Sequence, residues 1–165
     1  MSVVAFHEDR VMFGVDIPNH INACLQQAVA AYDDAERAES LLWQAQQLDP
    51  NQLEVYVALY KFYFYKNRID EAEDVVFMAL NRSAKLGNFD ADWNNLTPLS
   101  TVWLSLEAPQ RLYLYALKAL SFIRLRQADV EGAEGILSKL RELDSTDQVG
   151  GSVLQELATA MRESD

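Results

Sequence analysis

Apolar residues recur along this chain at the spacing of one face of an α-helix, and the same pattern returns twice. Ala38, Leu41, Leu42, Ala45 and Leu48 lie at offsets 0, 3, 4, 7 and 10; Ala133, Ile136, Leu137, Leu140 and Leu143 repeat those offsets. A middle copy, Ala72, Val75, Val76 and Ala79, follows the stripe until Arg82. Such offsets trace a single apolar stripe on an amphipathic helix. Ala38 and Ala72 are 34 residues apart, and Ala72 and Ala133 are 61 apart, which is 34 plus an insertion of 27. Thirteen residues before each alanine stands a leucine, Leu25, Leu59 and Leu120, on a second helical segment. Polar turns at Asp33-Asp34, Lys66-Asn67-Arg68 and Arg126-Gln127-Ala128-Asp129 separate the members of each pair and fit antiparallel helix hairpins. Leu48-Asp49-Pro50 stops the first pair, because proline cannot continue a helix.

The pattern predicts helix pairs over about 19–48, 53–86 and 110–143, within one domain spanning residues 1–165. Residues 87–109 interrupt the repeat. Thr97-Pro98 has the chemistry of a helix start, which predicts a short helix over about 98–106. Helical repeats need a polar-faced end, and a capping helix is expected over about 149–162, hinged at Gly150-Gly151, with Val153, Leu154 and Leu157 inward.

The repeat resembles the tetratricopeptide (TPR) family. The residues that carry the resemblance are Leu25, Ala38, Leu42, Ala45, Asp49 and Pro50 in the first copy. Tyr56, Leu59, Tyr63, Ala72, Val76 and Ala79 carry it in the second, and Leu117, Leu120, Ala133, Leu137, Leu143 and Asp144 in the third. The resemblance implies an all-α fold, an α-α superhelix of about three helix pairs with an inserted segment and a C-terminal capping helix. It also implies that the first helix of each pair lines a concave groove for a peptide or helix of another protein. Ala23 and Gln27 fall on that face in the first copy, and Glu54, Val57, Lys61, Phe64 and Tyr65 in the second. Tyr115, Lys118, Phe122 and Arg126 fall there in the third. The basic carboxylate clamp of the members that bind heat-shock chaperones is not matched, since Ala23, Gln27, Val57 and Ala58 occupy several of its places. Length and three-repeat layout are also similar to those of the TPR chaperones of type III secretion.

Composition narrows the function. The chain has 165 residues, with 14 Lys and Arg against 25 Asp and Glu, a net charge of −11. That balance opposes general binding to nucleic-acid backbones. The acidity is concentrated in residues 1–60, where nine acids meet two bases. The 6 glycines and 4 prolines are too few for a turn-rich β-sandwich. Cys24 is the single cysteine, so no internal disulfide forms. No apolar run is long enough to cross a bilayer, and residues 1–15 lack the basic start and long apolar core of a signal peptide. A cytoplasmic protein with no membrane association is expected.

Catalytic chemistry is poorly supplied. His20 and Cys24 lie four residues apart on a predicted helix and form the one arrangement with the makings of an activated thiolate. No orienting group or oxyanion site accompanies them. Asp90, Asp92 and Asn94 imitate the start of a calcium loop, but Asn95 and Thr101 stand where glycine and a bidentate glutamate are needed, which favours a polar turn. No phosphate-binding glycine loop is present. The expectation is a non-enzymatic interaction module, acting as adaptor, scaffold or chaperone, without cofactor or metal. Two alternatives are a self-associating homodimer and an enzyme using Cys24 and His20.

The segment over 53–65, LEVYVALYKFYFY, is apolar around most of its circumference and must be covered on more than one side. Its cover is residues 87–109, residues 6–17, or another protein. The expected groove residues are Glu54, Val57, Lys61, Phe64, Tyr65, Tyr115, Lys118, Phe122 and Arg126. Bases among aromatics in an acidic chain favour a ligand segment with both apolar and acidic groups.

Overall fold

The computed structural model describes residues 18–104 and 108–164. Among these the fold is all-α, with seven α-helices, one 3-10 turn and no strand. The helices are α1 (Asn19–Ala30), α2 (Ala35–Leu48), α3 (Leu53–Tyr65), α4 (Ile69–Gly87), α5 (Ala108–Arg126), α6 (Val130–Leu143) and α7 (Gly151–Glu163), with the 3-10 turn at Trp93–Asn95. None of the described helices is long and apolar enough to cross a membrane. Two compact units divide the chain within α4, the first ending at Val75 and the second beginning at Val76.

In the first unit α1 packs on α2, and α2 on α3. The stripe Ile21, Cys24, Leu25 and Ala28 is the buried face of α1. The Asp34 carboxylate opens α2 by accepting the Arg37 backbone N–H at 3.3 Å, satisfying one of the donors that a helix start leaves unpaired. Asp49 ends α2 ahead of Pro50. Between α2 and α3 the Tyr63 hydroxyl is a junction: it accepts from Trp43 Nε1 at 2.8 Å and donates to Glu39 Oε2 at 2.6 Å. Arg68 donates to the same Glu39 oxygen at 2.9 Å, pairs with Glu71 and lies 4.8 Å from the Tyr63 ring centre. Lys66 sits 4.1 Å over the Tyr32 ring and donates to the Tyr32 carbonyl at 3.1 Å.

In the second unit α5 packs on α6, and α7 lies against both. The Asp129 carboxylate accepts the Gly132 N–H at 2.9 Å to open α6. The buried Asp144 closes it: one carboxylate oxygen accepts the Gln148 N–H and the other the Val149 N–H, each at 3.0 Å. Gly150, at φ 76°, then admits a left-handed turn into α7. The repeated positions read from the sequence are buried throughout: Ala38, Ala72 and Ala133, with Leu25, Leu59 and Leu120.

Three expectations are corrected. No helix forms over 98–104, while residues 105 and 106 lie outside the described ones. The capping chemistry there closes a tight turn instead: Thr97 Oγ1 accepts the Leu99 N–H, Ser100 Oγ accepts the Thr97 N–H, and the Ser100 N–H donates to the Thr97 carbonyl. Trp103 Nε1 then donates to the same carbonyl at 3.0 Å, holding it away from a helical partner. On α7, Val153 and Leu157 face outward at 65% and 39% exposure, and the inward stripe is Gly151, Leu154 and Ala158. Leu48, the last residue of α2, is exposed although it continues the apolar stripe.

Candidate partner-binding surfaces

The residues expected to line a groove divide by exposure. On α3, Glu54 and Val57 are buried, and Glu54 Oε2 accepts from Gln52 Nε2 at 2.7 Å. Lys61, Phe64 and Tyr65 are half-buried and form the reachable edge of that helix. On α5, Tyr115, Lys118 and Phe122 are half-buried and Arg126 is exposed. The Lys118 ammonium lies beside the turn ahead of α7, where a Cβ built on Gly150 would stand 3.4 Å from Nζ, and its charge helps hold the Asp147 carboxyl below the usual range. The larger cause of that shift is the pair of hydrogen bonds Asp147 accepts from Ser152, one from its hydroxyl and one from its backbone N–H. Ala23 and Gln27 on α1 are exposed.

The inserted segment packs inside the second unit. Phe89 meets Trp103 and Tyr113 edge to face, with ring centres 5.1 and 5.0 Å apart. The Tyr113 hydroxyl donates to the Ala91 carbonyl at 2.7 Å. Nine residues separate Tyr113 from Phe122, which puts them about 180° apart around α5. Phe89 and Trp103 thus pack on the face of α5 opposite Phe122. Residues 6–17, the other intramolecular cover considered for α3, lie outside the described residues, as does His7.

The remaining candidates have structural placements. Cys24 is buried in the apolar stripe of α1, and His20 one turn earlier is exposed. Asp90 Oδ1 accepts the Asp92 N–H at 2.9 Å, and its Oδ2 accepts from Asn95 Nδ2 at 3.0 Å, bonds that hold the Asp90 carboxyl below its ordinary range. Asp92 accepts the Asn94 N–H at 3.0 Å and so starts the 3-10 turn. These carboxylates shape a turn, and no cluster of three metal-ligating side chains occurs among the described residues.

A surface that sequence reasoning missed lies in the insertion. Residues 96–104 form a strap with Leu96 and Trp103 buried beneath it. Lys139 Nζ donates to the Leu96 carbonyl and Gln148 Nε2 to the Trp103 carbonyl, each at 2.8 Å. Leu99, Val102 and Leu104 point outward at 95%, 70% and 62% exposure. The one signal in the sequence was the absence of charge from 93 to 106.

No family model matches the chain. It is 30% identical, over 123 residues, to the "Uncharacterized 19.8 kDa protein in nifW 5'region" of Azotobacter chroococcum mcd 1, a match that takes in 73% of this chain and 68% of that protein. The chain belongs to that protein's family. A match over 73% of the chain exceeds either compact unit, so the family relationship draws on both.

Proposed function

We propose that this chain is a helical-repeat interaction module of the tetratricopeptide type, which holds a peptide or helix of another protein on the first helices of its pairs. The observation that carries the reading is the return of one helix-pair pattern after 34 residues and again after 61, with equivalent residues buried each time, Ala38, Ala72 and Ala133 on the second helices and Leu25, Leu59 and Leu120 on the first. Half-buried aromatics on the first helices, Phe64 and Tyr65 on α3 and Tyr115 and Phe122 on α5, supply anchors with large contact area. Lys61 shares α3 with Phe64 and Tyr65, and Lys118 and Arg126 share α5 with Tyr115 and Phe122; on each helix the bases favour a segment that carries acids beside its apolar residues. Glu54 and Val57, being buried, serve the packing of α3 and leave the contact to its later turns.

The test is capture of partners by the purified chain, followed by Tyr65→Ala and Phe122→Ala. Loss of a captured partner at unchanged melting temperature supports the reading; a collapse in melting temperature, with no partner held by the unaltered chain, overturns it.

A further inference from the structure

We propose that the 96–104 strap is a second docking surface, distinct from the helix faces above, for an apolar segment of another protein flanked by lysine or arginine. The strap is held rigidly from beneath. Lys139 and Gln148 grip its two end carbonyls, the Trp103 indole donates to the Thr97 carbonyl, and Gln110 Nε2 donates to Thr101 Oγ1 at 3.1 Å. A loop fixed in this way loses little conformational freedom when it is bound. Its outward side chains are the apolar ones, Leu99, Val102 and Leu104, whereas connecting loops ordinarily turn polar residues to water. Large apolar side chains turned to solvent from a fixed loop mark a contact surface.

Charge selects the occupant. The strap carries no ionic group. At its Leu96 end stand three carboxylates. Asp90 is bonded to Asn95, Asp92 caps the turn that leads into the strap, and Glu142 is paired at 2.8 Å with the Lys139 that grips the Leu96 carbonyl. Lys139 is largely covered and already engaged by the carbonyl and Glu142. A second copy of this chain would bring the same acids against themselves under a net charge of −11 each, and an anionic lipid surface would be repelled. A basic-flanked apolar segment meets both features at once.

Three synthetic peptides test this by fluorescence anisotropy and by amide shifts in two-dimensional NMR of the full chain. One has a leucine-rich centre flanked by lysines, one the same centre flanked by glutamates, and one lysine flanks around a glycine-serine centre. The first is expected to bind, to shift the amides of residues 97–104, and to weaken with added salt; the other two should bind about tenfold more weakly or worse. Leu99→Asp with Val102→Asp should weaken the first peptide by about tenfold or more. Leu99→Ser, at a side chain almost wholly in solvent, gives a milder variant that keeps the fold, with a smaller loss in the same direction. Tyr65→Ala with Phe122→Ala should leave this peptide's binding unchanged, which separates the strap from the helix faces. The proposal is overturned if the first peptide fails to bind, binds no better than the other two, or binds the strap variants undiminished. Concentration-dependent self-association, or binding to phosphatidylcholine vesicles, that disappears in the strap variants also overturns it, by assigning the surface to a second copy or to lipid.

Discussion

Asn67 and Ala128 stand 61 residues apart and share one left-handed backbone conformation, at φ 60° and 61°. Each ends a helix in the same way: the N–H of the following residue reaches back five positions, Arg68 to the Tyr63 carbonyl and Asp129 to the Arg124 carbonyl, both at 2.8 Å. This closure pairs a left-handed residue with a returning hydrogen bond and satisfies carbonyls left open at a helix end. The 61-residue offset equals that between Ala72 and Ala133, so the repeat extends to backbone geometry in the turns.

The two turns differ in strain. Asparagine visits the left-handed region readily, whereas alanine's Cβ costs about 1–2 kcal/mol there. Ala128→Gly is expected to stabilise the chain by about 0.5–1 kcal/mol, after the greater freedom of glycine in the unfolded chain is set against the relief. Urea unfolding measures it, and a lower midpoint would contradict the turn geometry.

Two glycines in α6 should respond in opposite ways. A Cβ at Gly135 meets nothing within 4 Å, so Gly135→Ala should stabilise by the helix-propensity difference, about 1 kcal/mol. A Cβ at Gly132 would collide with the Asp129 carboxylate that caps the helix. Gly132→Ala therefore displaces a cap worth about 1 kcal/mol and should show no net gain. Equal melting shifts for the two variants would argue against the cap.

Ala72 is fully buried on α4. Enlarging it should force its neighbours apart, and Ala72→Leu is expected to cost about 1–3 kcal/mol. A thermal melt matching that of the unaltered chain would show that this position has room, and that the hairpin register is wrong.

Alkaline pH should loosen the first unit through Tyr63. Burial, and then its hydrogen bond to Glu39, push the phenol up to about 12 from the usual 10, against a smaller opposing effect of the Trp43 N–H. The folded state therefore favours the neutral phenol. Its contribution is complete below pH 10 and is lost as pH rises through 12. Tyr113 is also raised, by burial first and then by Asp92 and Asp90, and adds a loss in the same direction. Tyr63→Phe should reduce the fall in melting temperature over that window, and phenolate absorbance should show Tyr63 titrating late. Titration with free tyrosine would contradict the buried junction.

The helices were legible because their apolar stripes and end signals agree. Asp34 and Asp129 cap where the polar turns predicted helix starts, and Pro50 follows a helix end. The strap was not legible because Thr97-Pro98 suits a helix start and a tight turn equally, and the choice rests on the Trp103 indole six residues on and on Lys139 and Gln148, remote in sequence. Val153 and Leu157 were assigned inward because α7 carries apolar residues on adjacent faces, and hydrophobicity alone cannot say which face α6 covers. The family resemblance that put Glu54, Val57, Phe64 and Tyr65 on one face could not separate the buried first two from the half-buried last two, because α3 is apolar nearly all round.

The division at Val75 also sorts the chromophores. Trp43 lies in the first unit, its indole bonded to Tyr63, while Trp93 and Trp103 lie in the second, packed near Phe77 and against Phe89. These are all 3 tryptophans of the chain. Emission from a Trp43→Phe variant therefore reports on the second unit alone, and the difference from the unaltered chain reports on the first. With one substitution, a pair of optical melts distinguishes a molecule that melts as one cooperative body from one whose halves let go at different temperatures.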